Sequence, residues 1–146
     1  MKIAPTALLG ALALLVACST VQTTNPGVVG VDRRQSMSSL VSERQLNSGA
    51  AQAYRQVLGK AKTDGKLNSS AAQVRRVRSI AARLIPKTAV FRKDAPGWQW
   101  ETNVIASAQV NAWAMPGGKI AVYTGIIDKL TLTDNELAAI MGHEIA

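Results

Sequence analysis

Apolar and polar residues recur along the chain with two different periods. Between Ser39 and Lys62, Leu46, Ala50, Ala53, Tyr54, Val57 and Ala61 return every three or four positions and share one stripe of a helix. Arg44, Ser48, Arg55 and Lys62 fall on the opposite side, and Thr63-Asp64-Gly65 ends the run. A second helix is expected from Ser70 to Ile85, with Val74, Val77, Ile80, Ala81 and Leu84 as its buried stripe. Ser70 with Gln73 reads as a capping box and Pro86 as the stop. Arg75, Arg76, Arg78 and Arg83 lie off that stripe and read as the solvated face of a helical hairpin.

After a loop from Lys87 to Gly97 the period falls to two. Trp98, Trp100, Thr102 and Val104 alternate with Gln99, Glu101, Asn103 and Ile105, as a strand requires. Further strands are expected at Val110–Met115 and Lys119–Thr124, joined through Met115-Pro116-Gly117-Gly118. There the proline and the first glycine suit a type II turn. A short helix near Gly125–Leu130 follows, then a last one opened by Thr133 and Glu136 as a capping box. Two helices, a small antiparallel sheet and two further helices make an α+β fold.

Only the amino terminus departs from this picture of one domain, or part of one, in 146 residues. Lys2 is followed by an apolar run from Ala7 to Val16, too short to span a bilayer and suited to a signal peptide. Leu15-Val16-Ala17-Cys18 resembles a bacterial lipobox, in which Cys18 would be acylated and become the first residue after removal of 1–17. Ser19 in the next position points, by that resemblance, to the outer membrane. Cys18 is also the single cysteine, so an intrachain disulfide is excluded. Residues 18–37, rich in Thr, Gly and Val, read as a tether, and 38–146 as the folded body. The formal charge is +8, a balance that can attract nucleic acid or anionic lipid. An exported lipoprotein makes nucleic acid a poor partner, no base-stacking aromatics accompany the arginines, and a solvated basic face is the reading adopted over lipid contact.

The chemistry concentrates at the carboxyl end. On the last helix Leu137, Ala138, Met141 and Ile145 form the packing side, with Glu136, Ile140 and His143 on the neighbouring flank. Glu144 lies about 100° further round, so an imidazole is expected beside a pocket. His-Glu-x-x-His on a helix holds Zn²⁺ between two imidazoles one turn apart, with the glutamate acting on water. Here only His143-Glu144-Ile145-Ala146 of such a motif is present, and a lone His-Glu pair is weak evidence.

Residues 111–130, NAWAMPGGKIAVYTGIIDKL, followed by ELAAIMGHEIA at 136–146, closely resemble the HtpX and CAAX-prenyl-endopeptidase family of zinc metallopeptidases (metallopeptidase family forty-eight). With the lipobox, the likeness is to that family's bacterial lipoprotein branch. It is dense from Trp98 to Ala146 and looser before. The resemblance implies the N-terminal half of a zincin-like domain binding one zinc ion when complete. His143 would be a zinc ligand and Glu144 the general base that takes a proton from the attacking water and passes it to the leaving amine. A second histidine would follow Ala146 and a glutamate would come from a later helix, so the present residues are expected to be inactive alone. Asn111, Ala112 and Trp113 resemble the edge strand against which such enzymes lay an extended substrate, Asn111 and Ala112 more than Trp113; the alternative is that Asn111 starts a strand and Trp113 is core, as Tyr123 is read to be. The function implied is endopeptidase action on unfolded or misassembled envelope polypeptides, from an anchor on the periplasmic face of the outer membrane. The alternative is a non-enzymatic lipoprotein serving as chaperone or assembly factor.

Overall fold

The computed structural model describes residues 18–22, 34–38 and 42–146. The signal segment and the expected helix start at Ser39 therefore lie outside the described residues. Within the stretch read as a tether, β1 (Cys18–Gln22) and β2 (Arg34–Ser38) pair antiparallel, Cys18 opposite Ser38. A Thr- and Val-containing segment can satisfy its backbone as a two-stranded ribbon, which a reading based on missing helical period did not reveal.

Helix α1 (Glu43–Thr63) begins where Ser42 accepts from the Gln45 amide while the Gln45 side chain accepts from the Ser42 amide. This reciprocal cap satisfies two orphan groups and sets the start. Helix α2 (Ala71–Leu84) has only half the expected box: Ser70 accepts from the Gln73 amide at 3.4 Å, but the Gln73 side chain donates to Asp128 instead. Pro86 ends α2 as expected, yet the chain continues as a 3₁₀ segment, Ile85–Val90, and another at Ala95–Gly97, within what read as plain loop. Proline is compatible with the first positions of such turns because its missing N–H needs no partner there.

The sheet is mixed rather than antiparallel. Strands β3 (Glu101–Ile105), β4 (Ala112–Met115) and β5 (Lys119–Tyr123) lie in the order β3-β5-β4, with β5 parallel to β3 and antiparallel to β4. The loop after β3 carries the chain one strand position too far, and the tight turn drops β5 into the gap. A run of Ile120-Ala121-Val122 suits a central strand buried on both faces, whereas alternation alone carries no information about strand direction. The turn is built as expected, with Gly117 at φ 78°, the conformation the third position of a type II turn demands.

Each face of this sheet has its own core. Val104, Ile120 and Val122 pack with α2 and with helix α4 (Asp134–Ile145) through Val77, Ile80, Leu137 and Met141. Ile105 and Ala121 pack on the other side against Tyr54 and Ala61 of α1. Tyr54 is 1% exposed; its hydroxyl donates to the Ile120 carbonyl at 2.7 Å and accepts from Asn103 at 3.0 Å, and burial raises its pKa. Leu46, placed on the buried stripe by its spacing, is 41% exposed near the amino-terminal end of α1, where it lines a groove beside the β4–β5 turn.

Helix α3 (Thr124–Asp128) starts directly after β5, and its Gly125 has no room for a side chain: a Cβ would lie 2.3 Å from the Gln109 carbonyl oxygen. Gly59, inside α1, has nothing within 4 Å of that position. Gly59→Ala is expected to raise stability by about 0.5–1 kcal/mol through the gain in helix propensity. Gly125→Ala should lower it by about 1–3 kcal/mol or more because backbone must move. Urea denaturation of the two variants checks both signs; equal effects would contradict the close approach of the 106–111 loop to α3.

Candidate functional site

Helix α4 is held at both its end and its side. Thr133 accepts from the Glu136 amide and Glu136 accepts from the Thr133 amide at 2.8 Å, the expected capping box. Those bonds lower the Glu136 pKa, the Thr133 amide contributing most and its hydroxyl next. Leu137 and Met141 are 0% exposed, and Ala138, Ile140 and Ile145 pack against the same cluster. Arg76 of α2 ties the helix start in place, donating to Asp134 at 2.7 Å and to the Leu132 carbonyl. This arginine, expected on a solvated face, is half-buried.

The last turn of α4 then splits its two chemical groups. His143 is exposed, on the side away from the core. Glu144, half-buried, lines a groove of about 720 Å³ between α4, the β4–β5 turn and the 3₁₀ region. It is the carboxylate rather than the imidazole that sits beside the cavity, which corrects the expected arrangement. Leu137 and Met141 fix the helix's rotation, and in that rotation Glu144 lines the groove while His143, about 100° before it, is exposed.

The opposite wall of the groove is aromatic. Trp98 and Trp100 stack at 5.8 Å with planes 24° apart, and the Arg92 guanidinium lies 4.9 Å from the Trp98 ring. Arg92 also bonds Glu43 of α1 and Asp94, and the Trp98 ring nitrogen donates to Asp94 at 3.1 Å. Arg92 holds the Asp94 carboxyl at a pKa of about 2, with the Trp98 bond second. This clasp was missed in the sequence, although an Arg-Lys-Asp run three residues before two tryptophans was the available signal.

Asn111 and Ala112 sit where an extended chain could pair. Asn111 is exposed and its carbonyl accepts from the Tyr123 amide at 3.0 Å. Ala112 is 8% exposed and packs in the core, so only its backbone is available for contact. Among the described residues no strand covers the outer side of β4. The other edge is closed: Leu67 bridges Ile105, Asn68 donates its amide to the Val104 carbonyl, and the Asn68 side chain accepts from Val104 at 2.9 Å. Trp113 meets Tyr54 edge-on at 5.6 Å, in line with the core reading of that residue, and Tyr123 is half-buried in the same cluster, as expected.

Zinc asks for three or four ligands from His, Cys, Asp or Glu. Among the described residues no group of three such side chains is close enough to hold a metal ion, and His143 is the chain's single histidine. The residues present do not by themselves make a zinc site.

Residues 71–146 match the family described as Peptidase family M48. The chain is similar to Metalloprotease LoiP of Escherichia coli (strain K12), 33% identical over 141 residues, which are 91% of this chain and 51% of that protein. It is also similar to Metalloprotease YcaL of the same organism, 43% identical over 42 residues, 29% of this chain and 16% of that one. To the mitochondrial metalloendopeptidase OMA1 of Arabidopsis thaliana it is 41% identical over 49 residues, 34% of this chain and 10% of that one. The chain thus spans about half the length of LoiP and a smaller part of the others. No solved structure matches it.

The clasp makes a pH prediction. The Asp94 carboxyl titrates at about 2 in the fold against an ordinary 3.8, so its stabilising effect is complete above the ordinary value and lost as pH falls toward 2. Asp94→Asn is expected to flatten the part of the stability profile between those two values and leave the profile above pH 5 unchanged. Denaturation midpoints across that range provide the measurement; an unaltered acid limb in the variant would show that Arg92 does not engage Asp94 in solution.

Proposed function

The chain belongs to Peptidase family M48, and on that premise we propose that it forms the N-terminal part of the catalytic domain of a zinc-dependent endopeptidase of the bacterial envelope. The observation that carries the reading is the placement of Glu144. A carboxylate lines a groove whose wall includes Ala114 and Met115 of β4, the strand whose outer edge is uncovered among the described residues. An extended polypeptide paired along that edge, by backbone bonds at Ala112 with the Asn111 side chain beside it, would pass beside the carboxylate; the Asn111 carbonyl itself faces β5 and accepts from Tyr123. Main-chain pairing selects little for side chains, which suits unfolded or misassembled substrates.

In this role Glu144 would be the general base, taking a proton from the attacking water and giving it to the leaving amine. His143 would contribute one imidazole to the metal, the other ligands not being among the described residues. Zinc, when bound, supplies the Lewis acid that polarises the scissile carbonyl. The buried stripe of α4 and its cap hold both side chains on a rigid element, as such geometry requires.

Location follows from the amino terminus. The run Leu15-Val16-Ala17-Cys18 supports acylation at Cys18 and so an envelope protein. Among the described residues no helix is long and apolar enough to cross a membrane. Anchoring through Cys18 to the periplasmic face of the outer membrane is the reading we adopt from the lipobox-like run and Ser19 after it.

In the full-length parent, Glu144→Gln is expected to lower peptide hydrolysis by about 10²–10⁴-fold while bound zinc, measured by atomic absorption, stays stoichiometric. His143→Ala should lose the metal as well as the activity. The 146-residue chain alone should neither retain stoichiometric zinc nor cleave casein. Full activity in the Glu144→Gln protein would remove the assignment.

A further inference from the structure

The chain's excess charge is not spread over its surface. Residues 71–93 contain seven Lys and Arg and no Asp or Glu, while all the other residues together contain ten basic and nine acidic side chains. Nearly the whole formal charge of +8 therefore belongs to α2, the 3₁₀ segment that follows it and the three residues after that.

Two of the seven are engaged with acids, Arg76 with Asp134 and Arg92 with Glu43 and Asp94. Arg75, Arg78, Arg83, Lys87 and Lys93 form no ion pair among the described residues. Elsewhere Lys60 and Lys66 are compensated by Asp64 and Lys119 by Glu101, while Arg44, Arg55 and Lys62 of α1 and Lys129 after α3 likewise form no ion pair among the described residues. At about 100° per residue, Arg75, Arg78 and Arg83 share one side of α2. Between them on that side stand Ala71, Ala72, Ser79 and Ala82, all exposed. Arg78 donates to the Thr102 carbonyl of β3 at 3.1 Å, which leaves Arg75 and Arg83, with small side chains between them, as the guanidinium groups that can reach a plane together.

We propose that this outer face of α2 is a docking surface for an anionic phospholipid bilayer. Guanidinium groups pair with phosphate in a planar fork, and basic residues near an anionic leaflet add their attractions within a Debye length. The face carries no aromatic residue on which bases could stack, which single-stranded nucleic acid would ask for. The position of α2 gives the contact a consequence. α2 packs over β3, whose edge is closed, and α4 packs over β4, whose edge is open. α2 and α4 cover the same face of the sheet, α2 toward the closed edge and α4 toward the open one, so a bilayer against the outer side of α2 lies nearer the closed edge than the edge at β4. The proposal rests on the envelope reading for the presence of a bilayer, but on neither acylation nor hydrolysis.

The test uses the full-length parent lacking residues 1–17 and carrying Cys18→Ser, so that no acyl chain contributes. It is expected to co-sediment with vesicles rich in phosphatidylglycerol, not with pure phosphatidylcholine, and to be released by salt. Arg75→Ala with Arg83→Ala should weaken binding by roughly thirtyfold. Arg75→Lys with Arg83→Lys should restore most of it, and Arg44→Ala with Arg55→Ala on α1 should leave it unchanged. Equal binding to neutral vesicles, no loss in the α2 alanine variant, equal loss in the α1 variant, or preference for RNA over vesicles at the same salt would each overturn the proposal. A parent that fails to hydrolyse peptides yet binds vesicles in this pattern would refute the enzyme reading and leave this one standing.

Discussion

Everything in the fold leans on β5 being covered on both faces at once. Ile120 and Val122 are sealed by α2 and α4, and Ala121 by α1, each at 1% exposure or less. Its backbone is paired on both sides, to β3 and β4, and Tyr54 reaches in from α1 to bond the Ile120 carbonyl. A strand so enclosed cannot slip by one residue, because that would exchange its two apolar sets between differently shaped cores. Leu137 and Met141 rest on one of those cores, so the rotation of α4 is set by β5. The direction of Glu144 into the groove is thus a consequence of packing two layers away.

What was legible in the sequence was what short segments decide for themselves. The capping box at Thr133 and Glu136, the stripe of Leu137 and Met141, and the Pro-Gly-Gly turn involve neighbours within four residues. Local geometry there leaves few options. Strand order was not legible: β3 and β4 are consecutive in the chain but separated by β5 in space, and alternation reads the same in either direction. Gln73 illustrates the same limit, since its side chain left the expected cap for Asp128, 55 residues away. Leu46 fits the periodicity of α1 yet stands 41% exposed, because a stripe is buried only for the length over which another layer faces it.

The candidate site divides similarly. The resemblance led to His143 and Glu144 through a motif, and helical spacing correctly placed them about 100° apart. Which of the two would face the cavity depended on tertiary packing, and the groove's far wall depended on more still. Arg92, Asp94 and Trp98 are close in sequence, but their anchoring to Glu43 spans 49 residues. Asp94, though its surroundings leave it exposed, is held strongly acidic by that arginine. A charge cluster in a loop between two 3₁₀ turns offers no periodic signal to read.

The two edges of the sheet are treated unequally, and this asymmetry is the strongest structural argument for a site at α4. An unpaired edge is a hazard that folded proteins ordinarily blunt or cover. At β3 the chain does cover it, bringing Leu67 and Asn68 alongside with Asn68 at φ 52°, a left-handed conformation that asparagine tolerates better than most residues. At β4, among the described residues, no strand is supplied, although the preceding loop passes nearby and Asn111 already bonds Tyr123. The uncovered edge is the one over which α4 packs and beside which Glu144 opens into the groove. An edge left unpaired next to a poised carboxylate, opposite one closed with a left-handed asparagine, is the arrangement expected where the missing strand is a substrate.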